Sequence, residues 1–369
     1  MAADVTASRR IGLVLGGGGL KGFAHIGVIR ALEEHGIRPA LFAGTSIGAL
    51  IAAAYASGVG IEEMTRRAEA LQRRDLFRIN HVGVLLSRMR SPSIYLEEPL
   101  RTLCEGVLPH ARFDELDVPL LVNTVDLERG TQLVWGLPGL RDVPISDAVY
   151  ASCALPGFFP PGRVDGRVCI DGGTVDNLPV SAASGAMGLD ALIAVDVGSG
   201  ELTHDTDVAQ QGFASIYMRA ATTMMHSLQQ VPLTHWAGPP MLLVRPRLAT
   251  VSWFSFSHTA ELINEGYRAA TEALQTLPET LAAPGGVFPR RSVRITVSEE
   301  RCTGCGLCVA LAPQLMGLDA RRKAFALTHV VEWSPADGDF VRHCPTEAIA
   351  VHRLDRRPSL PIVSGESAA

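Results

Sequence analysis

Lysine is nearly absent: Lys21 and Lys323 are the only two, and arginine supplies the rest of the basic charge. Charged residues of both signs make up only 19% of the chain and the net charge is −5. That balance argues against the basic patch or stripe of a nucleic-acid-binding surface, so no nucleic-acid partner is expected. No window approaches the ~20 apolar residues of a membrane span. The opening MAADVTASRR places two arginines before an apolar run of five residues that ends in glycines. That run is too short for a signal-peptide core. A cytoplasmic, soluble protein is expected, with no more than peripheral, transient contact at a membrane surface. Cysteine is sparse except near the C-terminal end. Of seven cysteines, four fall between Cys302 and Cys344, while Cys104, Cys153 and Cys169 are scattered. Without an export signal, such clustering points to metal rather than to disulfides.

What is abundant is hydrophobic residues, 47% of 369, enough for a sizeable core and for two domains. The chain is organised around residues 11–60, where two glycine-rich turns each follow a short apolar run and open a helical pattern. Ile11–Leu15 and Leu41–Ala43 read as buried parallel strands. Gly22–His35 and Ser46–Ser57 read as the helices between and after them. This βαβα start predicts an α/β fold with a parallel-rich sheet covered on both faces. Further on, Leu120–Asp126 and Thr131–Trp135 read as a hairpin. Ile145–Ala154 reads as a helix, Val168–Ile170 and Leu192–Val197 as strands, and Asp207–Gln229 and Thr259–Thr276 as long helices. Phe77–Tyr95, with Val82, Val84, Leu85, Leu86 and Met89, reads either as a flap beside an apolar site or as a packed connection.

The second turn, Gly44-Thr45-Ser46-Ile47-Gly48, fits G-x-S-x-G between a strand and a helix. A serine there is held out on a sharp turn, and the flanking glycines remove side chains that would clash. The first turn, Gly16–Gly22, has two readings. A P-loop fails because Gly22 follows Lys21 where a Ser or Thr should hold magnesium. A dinucleotide-binding turn fits formally from Gly17 but lacks an acidic residue ending the second strand. The nucleophile turn nearby favours an oxyanion hole, with the N–H groups of Gly17, Gly18 and Gly19 as donors. Ser46 then needs a base. His204, His226, His235 and His258 are late enough for a Ser-Asp-His order, but none ends a glycine-bounded strand. Asp171 does, followed by Gly172 and Gly173, which let a carboxylate approach the serine turn. A Ser46–Asp171 dyad is expected.

GGGGLKG, AHIGVIRALEEHGI, GTSIG, ASCALPGFFPP and DGG occur in the order seen in patatin-like phospholipases, and the chain resembles that family over roughly 11–281. The bacterial branch related to neuropathy target esterase is most similar. Plant patatins often carry Asp where Gly16 stands here. The resemblance implies a patatin-like three-layer α/β/α sandwich and hydrolysis of phospholipid or lysophospholipid acyl esters. It implies Ser46 as nucleophile, Asp171 as base and Gly17, Gly18 and Gly19 as oxyanion hole. Lys21, Gly22, Gly44, Gly48, Gly172 and Gly173 are implied as supporting motif positions. Leu155, Phe158, Phe159 and Pro160 are candidates for an acyl trench. Trp253, Phe254 and Phe256 have two readings, as rings on a membrane surface or as core.

Arg301–Cys308 reads RCTGCGLC, and Cys344-Pro345 follows. A C-x₂-C-x₂-C run with a remote C-P matches a cluster-binding pattern, whereas zinc usually takes two separated pairs. The segment resembles single-cluster bacterial ferredoxins. That implies one 4Fe–4S cluster on Cys302, Cys305, Cys308 and Cys344, within a small α+β ferredoxin-like domain, and a redox partner protein. The expected division is a tail over 1–10, the hydrolase-like domain over 11–281, a linker over 282–291, the ferredoxin-like domain over 292–355 and a tail over 356–369. A competing reading makes the chain a redox protein whose larger domain only docks lipid.

Overall fold

The apolar runs that lack polar alternation become strands hidden on both faces. The computed structural model describes residues 9–79, 93–108, 112–198, 212–248, 251 and 253–354. It divides into two compact units, 1–288 and 289–369. In the first, β1 (Ile11–Leu15), β2 (Leu41–Thr45), β3 (Leu120–Asp126), β7 (Ala191–Val195) and β8 (Met241–Val244) are buried along their whole length. Such strands need helices on both sides. The helices are α1 (Ala24–Glu34), α2 (Ile47–Ala56), α3 (Ile61–Ala70), α4 (Arg73–Leu76), α5 (Glu97–Val107), α6 (Ile145–Cys153), α7 (Val180–Ala186), α8 (Phe213–Thr234), α9 (Thr259–Leu274) and α10 (Leu277–Ala282).

Among the described residues the sheet has nine strands in the order β5-β6-β3-β2-β1-β7-β8-β9, with β4 (Thr131–Trp135) also paired to β3. β1, β2, β3, β7, β8 and β9 (Val287–Phe288) run parallel. β4 and β6 (Arg167–Asp171) pair antiparallel with β3, and β5 (Gly162–Val164) pairs antiparallel with β6. The result is a mixed, mostly parallel sheet flanked by helices. β5 lies in a stretch that reads as turn-rich. β9 lies within residues 282–291, which read as a linker; its pairing with Met241 and Leu242 of β8 extends the first unit to Phe288.

The sheet explains why Ser46 and Asp171 meet. Over residues 122–126 one flank of β3 is taken by β4. On the opposite flank β2 runs as far as Thr45 opposite Asn123. There β6 takes over, arriving from the other direction, with Asp171 opposite Thr124. The ends of β2 and β6 therefore abut, and the residues leaving them are neighbours although 125 positions apart in the chain.

The second unit has a three-stranded antiparallel sheet in which β10 (Arg291–Val297) lies between β13 (Val330–Trp333) and β14 (Ile349–Arg353). A second pair is formed by β11 (Met316–Leu318) and β12 (Ala324–Ala326), with short helices α11 (Leu307–Leu311) and α12 (Asp339–Arg342). Its small core contains Ile295, Cys308, Met316, Phe340 and Ile349. Among the described residues no helix is long and apolar enough to cross a membrane.

Candidate active site

Ser46 is forced out of β2 by backbone geometry. It has φ 55° and ψ −128°, a positive φ that a side-chain-bearing residue adopts only when its surroundings impose it. Here they do. A Cβ on Gly48 would sit 2.1 Å from the Leu15 carbonyl oxygen, so α2 approaches β1 at a distance only glycine allows. The Ser46 N–H donates to Ser152 Oγ at 2.8 Å, and Ser152 donates to the Asn123 carbonyl at 2.7 Å. Ser46 is the N-cap of α2, whose positive end favours anionic charge on or near the hydroxyl.

Asp171 is 3% exposed. Its N–H bonds the Ala154 carbonyl at 3.1 Å, and its Oδ1 accepts the Gly173 N–H at 2.8 Å. Burial raises its pKa from 3.8 to about 6, against the opposing pull of the Gly173 N–H and the Ser46 hydroxyl. Behind it Asn123 donates to Thr45 Oγ1 at 3.1 Å and to the Asp176 carbonyl at 2.6 Å. That tie fixes the end of β2 to the turn following Asp171.

The glycine turn is clamped from one side. Gly16 N–H bonds the Val195 carbonyl at 2.9 Å, and the buried His25 holds the Gly16 carbonyl through Nε2 at 2.8 Å. Burial pulls the His25 pKa down to about 4, so the ring is neutral and this nitrogen donates. Asn177 grips Gly17 at both ends of its backbone: its carbonyl accepts the Gly17 N–H at 3.1 Å, and its Nδ2 donates to the Gly17 carbonyl at 3.0 Å. The Gly17 N–H expected in an oxyanion hole is thus engaged by Asn177. Among the described residues the N–H groups of Gly18 and Gly19 have no such acceptor. Gly22 packs on Ile47 with no room for a side chain, a Cβ there falling 2.1 Å from Ile47 Cγ2. Lys21 is buried in the 3₁₀ turn 19–23, which lowers its pKa; it does not line the pocket described next.

Ser46, Asp171 and Gly19 open onto one apolar cavity of about 120 Å³. Leu155, Phe159, Phe77 and Phe254 form walls of it. Phe254 and Phe256 pack against Phe77, with ring centroids 5.3 and 5.9 Å apart. Those rings therefore face the first unit's core rather than a membrane. The Phe77 and Tyr95 rings pack tilted, with centroids 4.8 Å apart, and Ile79 bridges Tyr95; Val82, Val84, Leu85, Leu86 and Met89 lie outside the described residues. Cys153 also lines the cavity, and the Cys104 thiol beside it together with burial pushes its pKa well up, leaving a neutral thiol. His226, His235 and His258 do not line the cavity, and His204 lies outside the described residues.

Ser152, Asn123, Asn177 and His25 are absent from the sequence reading. Each acts by hydrogen bonds to backbone groups of another segment, and nothing in spacing or composition marks such a contact.

In the second unit Cys302, Cys305, Cys308 and Cys344 line one pocket with Leu318 and Ile349. The Cys302 sulfur accepts the Ala324 N–H at 3.4 Å, and the Cys344 sulfur the Ala348 N–H at 3.2 Å. Among the described residues no three His, Cys, Asp or Glu side chains are set to hold a single ion. A cubane spreads its four ligand sulfurs further apart than a single ion does, so a shared pocket is the relevant test. Four thiols, apolar walls and N–H groups aimed at sulfur fit an iron–sulfur cluster.

Comparison with known proteins matches both units to families. Residues 13–184 match the patatin-like phospholipase family and residues 295–351 the 4Fe-4S single cluster domain. An uncharacterized NTE family protein of Mycobacterium tuberculosis is 33% identical over 196 residues, 53% of this chain and 51% of its own length. Human patatin-like phospholipase domain-containing protein 6 is 32% identical over 221 residues, 57% of this chain and 15% of that protein. Lysophospholipase NTE1 of Pyricularia oryzae is 28% identical over 332 residues, 80% of this chain and 20% of that protein. The chain thus spans about half the length of the mycobacterial relative and a smaller share of the others.

Proposed function

We propose that this chain, which carries a patatin-like phospholipase domain, is a serine acyl-hydrolase that cleaves lipid acyl esters through a Ser46–Asp171 dyad. The observation that carries the reading is the abutment of β2 and β6 on one flank of β3, opening onto an apolar cavity. Ser46 Oγ attacks the ester carbonyl while Asp171 takes its proton. The tetrahedral oxyanion accepts the N–H groups of Gly18 and Gly19, held in place by the Asn177 and His25 clamps. Asp171 returns the proton to the leaving alcohol, and the acyl chain remains on Ser46. A water then attacks the acyl-enzyme with Asp171 again as base, restoring Ser46. No third group orients the dyad; Ser152 and Asn123 fix the backbones that carry it.

The substrate is a phospholipid or lysophospholipid acyl ester, met during transient contact with a membrane surface from the cytoplasmic side. The lysophospholipase name of the fungal relative supports that class. In the second unit Cys302, Cys305, Cys308 and Cys344 would hold one 4Fe–4S cluster, a group that supplies one-electron transfer or redox sensing and implies a redox partner protein.

The test is hydrolysis of a lysophospholipid and of a soluble acyl ester by anaerobically purified protein. Wild type should hydrolyse both, and Ser46→Ala should lose at least ~10³-fold. Equal rates for the two proteins would overturn the reading.

A further inference from the structure

The cavity runs beside α2 from Ser46 to Ala54. Three helices supply much of its lining. α2 contributes Leu50 and Ala54, α3 contributes Met64, Arg67 and Ala68, and α5 contributes Leu103. Ser46 caps α2, so the helix axis serves as a ruler. Ala54 is eight residues on, about 12 Å at ~1.5 Å per residue. C–C bonds of ~1.52 Å meeting at ~111° advance a saturated chain by ~1.25 Å per carbon. The depth therefore matches about ten carbons. The volume is tighter: about 120 Å³ is less than the ~150 Å³ apolar cavity that takes one benzene, and so admits at most about six carbons before side chains move.

The far end is built from small residues and one arginine. Ala54 and Ala68 leave the terminal space open. Arg67 closes it, lining the cavity with one side while its side chain remains 37% exposed on the other. The guanidinium is tied in place: Nη1 donates to the Gly106 carbonyl at 2.6 Å, joining α3 to α5, and Nε donates to Glu63 at 2.6 Å. A longer chain would have to break those bonds and drive a methyl end against a charged group.

We propose that this cavity is an acyl-length gauge, favouring saturated acyl groups of about six to ten carbons, with Ala54, Ala68 and Arg67 setting the limit. The proposal rests on Ser46 being the acylated residue, as argued above. Chains within the limit gain from each buried methylene, about fourfold in kcat/KM. Carbons beyond it find no apolar wall and add nothing.

The experiment uses the full chain and monomeric acyl esters from C4 to C16. For wild type, kcat/KM should climb by about fourfold per methylene up to C8–C10 and then level or fall. Ala54→Leu fills space worth about three methylenes, so the C10-to-C4 ratio should drop about 50-fold. Arg67→Ala opens the end and should raise the C14-to-C10 ratio at least fourfold. Thermal melts accompany both variants. If Ala54→Leu does not fold, Ala68→Val replaces it, and Arg67→Ala, which shifts the profile the other way, is decisive by itself. A wild-type profile that keeps rising through C16, or ratios that neither variant moves, overturns the gauge. Hydrolysis surviving in Ser46→Ala would instead overturn the dyad reading.

Discussion

Replacing Asp171 by Asn should make the protein more stable at neutral pH while removing its activity. The carboxyl is 3% exposed, and burial raises its pKa from 3.8 to about 6. The folded state therefore prefers the neutral acid, whereas the unfolded chain ionises it readily. Stability associated with the neutral form is fully present below about pH 4 and is lost as pH rises through about 6. The difference amounts to about 3 kcal/mol at pH 7.5. Asparagine keeps the acceptor that the Gly173 N–H bonds at 2.8 Å and stays neutral at every pH. The Asp171→Asn variant should thus melt at about the wild-type temperature near pH 4. At pH 7.5 it should melt roughly 6–12 °C higher, taking about 2–4 °C per kcal/mol for a unit of this size. Ester hydrolysis should fall by about 10³-fold for want of a base. Calorimetry of both proteins from about pH 4 to about pH 8, beside the ester assay, reads both effects. A difference in melting temperature that does not change with pH, or a variant less stable than wild type at pH 7.5, would refute a buried, destabilised base at this position.

Three further outcomes follow from the same geometry. Wild-type kcat/KM should rise with pH and reach half its plateau near pH 6, because Asp171 must be ionised to accept the proton and titrates at about 6; a profile flat from pH 5 to 8 would contradict it. Gly48→Ala should cost at least ~3 kcal/mol or abolish soluble expression, since its Cβ would lie 2.1 Å from the Leu15 oxygen; a wild-type melting temperature would show that α2 and β1 are not so close. Cys305→Ser should lose most of the about four iron atoms expected per chain, together with their visible absorption; anaerobic wild type carrying about one zinc and no iron would sink the cluster assignment.

Much of the first unit was legible because its signals are local. Ile11–Leu15 is a short apolar run of strand length and Leu120–Asp126 a strand-length stretch rich in Leu and Val, and each became a fully buried strand. The G-x-S-x-G turn declares its own strain through its glycines. β5 and β9 were not legible: three and two residues long, they are strands only because β6 and β8 lie beside them. The long helix read from Asp207 is described from Phe213 and runs to Thr234, past Pro232. The clamps on the glycine turn show the limit of a linear reading most clearly. Asn177 holds the peptide groups on both sides of Gly17 and His25 holds the Gly16 carbonyl, contacts that no periodicity encodes. The same clamps diverted Gly17 from the role its position in the motif implied, because Asn177 takes its N–H.

The most direct measurement is the site of acylation. Protein treated with a fluorophosphonate ester, or quenched during turnover of a slow acyl ester, should carry one adduct, and peptide mass mapping should place it on Ser46. Asp171→Asn should form that adduct far more slowly and Ser46→Ala not at all. An adduct on Cys153, the other nucleophile lining the cavity, or a stoichiometric adduct surviving in Ser46→Ala, would contradict the account.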